Sequence, residues 1–230
     1  MRRRVFVTGS TGYLGRATSA ALLDRGHIVD ALCRESALDR VADGANAVVG
    51  DALDATTYAK ALRPDHVVVH LVGTPKPSPW KAESFERVDF GSVQQLANAV
   101  ARSPVAHIVY VSVAHPAPAM RAYISARQRA EAALRETRLP RTFLRPWYVL
   151  GPGHQWPIAL LPMYWIAERT PSLRDGARRL GLVTLEQMVE ALVTAVETAS
   201  DDSRIWDVQR IRRTAAVVAV VVRARSAPAP

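Results

Sequence analysis

Cysteine occurs once in the 230 residues, at Cys33. That excludes an internal disulfide, and a cysteine-based metal site would need more partners than the chain offers, so no metal is expected. Lysine is nearly absent as well, because 27 of the 30 basic residues are arginine and only Lys60, Lys76 and Lys81 are not. The formal charge of +9 would ordinarily point to nucleic acid or an anionic surface. Outside the triplet Arg2, Arg3 and Arg4, however, the arginines stand singly or in pairs such as Arg178 and Arg179, with no interleaved aromatics to stack bases. A solvated basic surface is the plainer reading, and no nucleic-acid partner is expected. Long apolar runs are missing too. The longest, Ala215 to Val222, falls well short of the roughly 20 residues that cross a bilayer. The "VFVTGS" that follows Arg4 is too short and too strand-like for the apolar core of a signal peptide. No membrane span and a cytoplasmic location are expected.

What is present is an alternation. Apolar, β-branched runs at 4–8, 27–33, 46–50, 66–72, 107–113 and 141–145 are separated by Ala- and Leu-rich helical stretches around 13–25, 55–62, 81–102 and 121–137. This spacing predicts an α/β fold with a doubly wound parallel sheet over residues 1–150. After "RPWYVLGPGHQWP" the texture changes to irregular Pro- and Trp-containing sequence, then a helix at 185–199 and a short strand at "RIWDV". A small C-terminal lobe over 151–213, packed on the sheet's carboxyl edge, is the expectation, with 214–230 as a last strand or a disordered tail.

"TGSTGYLG" puts Gly9, Gly12 and Gly15 directly after the first strand and at the start of the first helix. In that context the first glycine permits a tight turn, the second admits a pyrophosphate to the backbone, and the third lets helix pack on strand. With "HLVG" after the fourth strand, "VYVS" after the fifth and "LRPWYVLGPG" after the sixth, the chain from about Arg4 to Arg213 resembles the extended or atypical short-chain dehydrogenase/reductase superfamily, in its epimerase-like and NmrA-like branches. The resemblance implies a Rossmann-type NAD(P)-binding domain. Its cofactor contacts would run through Gly9, Thr11, Gly12, Tyr13, Leu14 and Gly15, then Asp51 and Ala52 toward the adenine, Leu71, Val72 and Gly73 along the cofactor, and Pro146 beside the nicotinamide. Asp51 or Asp54 capping the next helix is the plainer local reading.

The second strand ends in "ALCRES", with Cys33 where an NAD enzyme usually carries an acid and Arg34 next. A small neutral residue followed by a guanidinium suits a 2′-phosphate, so NADP(H) is favoured over NAD(H), with Arg16 assisting. Tyr123 and Arg127 in "YISAR" lie one helical turn apart and match the superfamily's catalytic Tyr and Lys, and Ser112 is the nearest counterpart of its Ser. A free Tyr has a pKa near 10, and a neighbouring cation favours its phenolate. Arginine keeps that charge, but its planar fork is bulkier than an ammonium, which puts the family's ribose contact in doubt. The competing reading pairs Arg127 with Glu131 on the helix surface and packs Tyr123 beneath the lobe. His115, close to Ser112, is an alternative acid or base, with His70 and His154 also near strand ends. Trp147, Tyr148 and Trp156 offer an apolar wall or simply hold the lobe.

Two functions follow from these residues. One is an NADP(H)-dependent oxidoreductase acting on a small carbonyl or alcohol. The other is a non-catalytic NADP(H)-binding redox sensor of the NmrA-like kind, or an accessory subunit like those of respiratory complex I. The Ala-rich helices at 81–102 and 121–137 resemble those that pair in family dimers, so a homodimer is open.

Overall fold

The structure, a computed structural model, describes residues 2–117, 119–152 and 180–216. Six strands arise from the apolar runs: β1 (Arg4–Thr8), β2 (Ile28–Cys33), β3 (Asn46–Val49), β4 (His66–His70), β5 (His107–Val111) and β6 (Arg141–Leu144). Further on, β7 (Tyr148–Leu150) and β8 (Leu182–Thr184) pair as a two-stranded parallel ribbon, with Tyr148 opposite Leu182. β9 (Arg204–Trp206) returns to the main sheet, which is parallel throughout and ordered β3-β2-β1-β4-β5-β6-β9. The chain runs outward from β1 in one direction to β3 and in the other from β4 onward. The order therefore reverses between β1 and β4, which in open parallel sheets opens a crevice at the carboxyl ends of the strands.

Side chains alternate across each strand and so feed two cores. Val5, Val7, Val29, Ala31, Val67, Val69 and Val109 face one side, against α1 (Tyr13–Asp24) and a late helix over Leu185–Glu197. Phe6, Leu32, Val68, Ile108, Tyr110 and Phe143 face the other. That second face is covered by a continuous helical rod and by the helix that follows it. The rod consists of α2 (Ala82–Ser84), a π-helical turn at Phe85–Phe90, and α3 (Gly91–Arg102); α4 (Arg121–Glu136) lies alongside. Burial on both faces explains why the inner strands β1, β2, β4 and β5 read as apolar runs rather than alternating ones.

The late helix, α5 (Leu185–Glu197), starts sharply at a capping box. The Thr184 hydroxyl accepts from the Gln187 amide and the Gln187 side chain accepts from the Thr184 amide. Its buried residues Met188, Leu192 and Val196 pack into the same core as β1 and β4.

Three expectations are corrected. The helix read over 55–62 is two separate 3-10 turns, Ala55–Thr57 and Ala59–Ala61. Here the Thr57 hydroxyl donates to the Asp54 carbonyl and accepts from the Asp51 amide, and such side-chain bonds compete with helix. Of the span 151–213 read as a small lobe packed on the sheet's carboxyl edge, α5 packs into the main core and β9 extends the main sheet; residues 153–179 lie outside the described residues. Residues 208–216 are helical where a last strand had been read from 214 onward, and the rest of that tail is outside the described residues. No helix among the described residues is long and apolar enough to cross a membrane.

Candidate functional site

The glycine turn lies at the reversal point. Thr8 ends β1 between Leu32 of β2 and His70 of β4, and Gly9 follows with φ +72, a conformation that disfavours any Cβ. A Cβ there would also stand 2.9 Å from the Leu71 carbonyl carbon, so the glycine turn and the loop leaving β4 are in backbone contact. The Gly12 amide closes the turn on the Gly9 carbonyl at 3.0 Å, and Gly12 then caps α1 with no side-chain bond. A Cβ on Gly15 would overlap the Gly9 carbonyl oxygen, which is the close helix-on-strand packing read from sequence. Ser10, buried, ties the turn to β2 by donating to the Leu32 carbonyl at 2.8 Å. The first turn of α1, with no side-chain hydrogen bond at its cap among the described residues, suits an anion at a helix N-terminus.

At the end of β2, Cys33 is buried, and burial pushes its thiol pKa up. Arg34 follows as an exposed residue with no ion pair among the described residues, and Arg16 on α1 is likewise exposed and unpaired. A groove of about 680 Å³ is lined by Arg16 together with Tyr13, Ala20, Asp39, Arg40 and Asp43. After β3, one Asp51 carboxylate oxygen accepts from the Leu53 amide at 2.9 Å. Asp54 is the residue that caps the following turn, accepting from the Thr56 amide. Ala52 is half-buried against the core. Across the reversal, the Leu71 amide continues the parallel pairing to the Thr8 carbonyl.

The loop from Leu71 to Thr74 packs against Arg127 of α4, the helix that carries Tyr123. A Cβ on Gly73 would overlap the Arg127 guanidinium, so the arginine lies directly against this loop. Arg127 is buried. Its Nη2 lies 2.6 Å from Asp89 Oδ1 in the π-helical turn, and its Nη1 donates to the Tyr110 hydroxyl at 3.1 Å and the Val111 carbonyl at 2.9 Å. Burial opposes this charge, and Tyr110, Tyr123 and Asp89 outweigh it, so the guanidinium pKa is raised. Its carbon sits 5.2 Å from the centre of the Tyr123 ring, which packs at 5.0 Å on Phe85 and remains half-exposed. A continuous set of contacts thus joins the glycine turn, the loop after β4, Arg127 and Tyr123.

Arg127 does not pair with Glu131, which corrects the surface-pair alternative. Glu131 is buried one turn further along α4, clamped by Arg145 at the end of β6 through two bonds (2.8 and 2.5 Å) and by Arg135 at 2.8 Å. Burial raises its pKa, but Arg145, Ser112 and His115 outweigh that and hold the carboxyl below the usual range. Ser112 is buried, and its hydroxyl lies near Glu131 without the geometry of a hydrogen bond to any described neighbour. The structure therefore brings Tyr123 and Arg127 together and sets Ser112 beside Glu131, two helical turns from Tyr123.

His115 is half-exposed with Nδ1 3.0 Å from the Val113 carbonyl. His70 bridges the Thr8 hydroxyl (Nδ1, 2.8 Å) and the Ser92 hydroxyl (Nε2, 3.1 Å); burial, helped by the charge on Arg127, pushes its pKa down to about 3. His70 is thus a neutral tie between β1 and α3. His154 and Trp156 lie outside the described residues, while Trp147 and Tyr148 are half-buried and Pro146 is buried with its carbonyl accepting from the Ala114 amide. Among the described residues no group of three or more His, Cys, Asp or Glu is placed to hold a metal.

Sequence reasoning missed Asp89, Thr74 and Tyr110. The signal for Asp89 was legible: in "FERVDFGSVQQL" the acid falls on the apolar stripe set by Phe85, Val93 and Leu96, where a carboxylate requires a partner.

A parallel sheet in this order, with a glycine turn at its reversal point, defines a dinucleotide-binding α/β domain. The chain belongs to the NAD(P)H-binding family, whose model matches residues 9–155. It is 25% identical over 198 residues to the ceramide reductase of Caulobacter vibrioides, covering 84% of this chain and 61% of the relative. It is 27% identical over 113 residues to the L-arabinose 1-dehydrogenase (NAD(P)(+)) of Haloferax volcanii, covering 49% and 41%. An uncharacterized protein of Mycobacterium tuberculosis is 29% identical over 112 residues, 49% of this chain and 12% of its own length. The chain thus spans less than two thirds of each of these relatives. Among solved structures, the Bordetella bronchiseptica enzyme WbmH in complex with NAD+ shares the fold with a TM-score of 0.68 at 21% identity, over 100% of this chain and 85% of that one. The UDP-glucose 4-epimerase of Thermus thermophilus in complex with NAD does so with a TM-score of 0.64 at 21% identity, over 98% and 84%.

Proposed function

We propose that this NAD(P)-binding chain takes NADP(H) in preference to NAD(H) and serves as an oxidoreductase on a small carbonyl or alcohol. The observation that carries the reading is Tyr123, half-exposed, with a guanidinium 5.2 Å from its ring and that guanidinium packed against the loop that abuts the glycine turn. In this reading the pyrophosphate lies over Gly9 to Gly15, Thr11 to Leu14 included, on the N-terminus of α1. Asp51 and Ala52 border the adenine, Leu71 to Gly73 run beneath the nicotinamide half, and Pro146 borders the nicotinamide. Arg34, exposed and with no ion pair among the described residues, follows the buried Cys33 and grips the 2′-phosphate, with Arg16 assisting.

When bound, the nicotinamide gives or takes hydride. The Tyr123 hydroxyl donates the proton to the substrate oxygen in reduction and takes it back in oxidation, with Arg127 supplying positive charge beside the ring. Relatives named as a reductase and as a dehydrogenase support redox chemistry over other uses of the fold. The same reading carries a cytoplasmic location, a small-molecule substrate and pairing of two copies. Titration of NADPH and NADH, followed by a carbonyl panel read at the nicotinamide absorbance band, tests it. Expected are tighter binding of NADPH and turnover that disappears in Tyr123→Phe while binding persists; tighter NADH binding would overturn the cofactor preference.

A second reading, non-catalytic NADP(H) binding as a redox sensor or accessory subunit, has its own support. Arg127 is engaged by Asp89, Tyr110 and Val111, and Ser112 lies beside Glu131 instead of Tyr123. Tight binding with no turnover across a broad panel would decide for it.

A further inference from the structure

Asp89 is completely buried and joins three elements. From the π-helical turn Phe85–Phe90, one of its oxygens holds Arg127 of α4 at 2.6 Å. The other accepts from the Thr74 amide at 3.1 Å and the Thr74 hydroxyl at 2.6 Å, on the loop leaving β4. Arg127 completes the arrangement by spanning from Asp89 to the Val111 carbonyl while its fork fills the space beside Gly73. Asp89 lies within the π turn, with its carboxylate on the buried side of the rod. A lysine at 127 would be a shorter point charge, without a fork to reach Asp89 and the β5 carbonyl together. The carboxylate matches the guanidinium charge, and the pair holds the protein's own loop.

We propose that Asp89 is a positioning residue whose brace to Arg127 and Thr74 sets the Gly73–Thr74 backbone, and thereby governs affinity for the nicotinamide half of the dinucleotide and not the adenosine half. This rests on the reading above, in which the cofactor runs from the glycine turn along Leu71 to Gly73. The brace acts through Arg127 and the loop, and Asp89 itself touches no ligand. It also makes position 127 an arginine site, because only the fork serves both anchors.

The test is calorimetric binding of two probes, NADPH and adenosine 2′,5′-bisphosphate, to the full chain and to Asp89→Ala and Thr74→Val, with thermal melts reporting folding. Asp89→Ala is expected to weaken NADPH about tenfold or more and to leave adenosine 2′,5′-bisphosphate within about twofold. Thr74→Val removes one of the bonds to the carboxylate and leaves the ion pair; it is expected to show the same selectivity at about two- to fivefold, and it carries the test if Asp89→Ala does not fold. Equal loss of both probes, or loss of neither, overturns the brace while the dinucleotide reading stands. A wild-type chain that binds neither probe overturns that reading and the brace with it.

Discussion

The two edges of the seven-stranded sheet use the same kinds of polar residue to opposite ends. At the amino edge, Asp30 of β2 accepts from Asn46 (2.7 Å), His66 (2.9 Å) and Arg4 (3.3 Å), knitting β1, β2, β3 and β4 together. His107, at the start of β5, bridges the Thr142 hydroxyl and the Ser200 carbonyl, both at 2.9 Å. At the carboxyl edge the glycine turn, Arg34 and the Tyr123 ring keep exposed surface, while beneath them Asp89 bonds with Arg127 and His70 with Thr8 and Ser92. The amino ends of β1 to β5 thus carry polar side chains that close the fold. The lesson is that histidine or carboxylate near a strand end is informative only once its edge is known.

Among the substitutions, the largest expected effect on stability lies at the closed edge. Asp30→Ala strands His66, Arg4 and Asn46 and should cost about 3 kcal/mol in urea denaturation. NADPH affinity of the folded protein should hardly change. A variant that loses binding while keeping stability would break the division between the edges.

Acid should act next, on both edges at once. The pKa of His70 is pushed down to about 3, and burial also lowers those of His66 and His107. As pH falls below about 6.5 the unfolded chain binds protons that the folded chain does not, so stability falls from there toward about pH 3. Each such histidine contributes at most about 1.4 kcal/mol per pH unit. His70→Gln should flatten the dependence of unfolding free energy on pH across that window, and an unchanged slope would show that His70 titrates normally.

Gly15→Ala drives a Cβ into the Gly9 carbonyl at the open edge. A cost of about 1 to 3 kcal/mol is expected, with NADPH binding lost disproportionately to the change in melting temperature. The smallest effect is the most selective. Arg34→Ala should weaken NADPH about tenfold, the worth of a charge-assisted pair of about 1.4 kcal/mol, and leave NADH unchanged. Equal weakening of both would remove Arg34 from the 2′-phosphate.

The amount legible in the sequence differed by region for physical reasons. Strands β1, β2, β4 and β5 could be read because burial on both faces writes continuous, largely Val- and Ile-rich runs, and the glycine turn because its spacing sits between a strand and a helix. Three-residue strands such as β7 and β8 carry too little pattern, and β7 and β8 were missed. "RIWDV" did signal β9, but not that it would extend the main sheet beside β6. Arg127 was the instructive failure. Helical spacing offers Glu131 as a neighbour one turn away, yet Glu131 turns to Arg145 of β6 and Arg127 to Asp89 of another helical segment. Local spacing proposes pairs worth a few tenths of a kcal/mol, and buried tertiary pairs override them.

A neutral imidazole carries one N–H, so His70 can donate to one hydroxyl neighbour and must accept from the other. Thr8 and Ser92 therefore cannot orient their hydroxyls independently. If Ser92 receives the ring proton, Thr8 must point its own proton at the ring, and reversing either reverses both. The residue that launches the glycine turn and the first turn of α3 share a single two-valued setting, written in the direction of two hydrogen bonds.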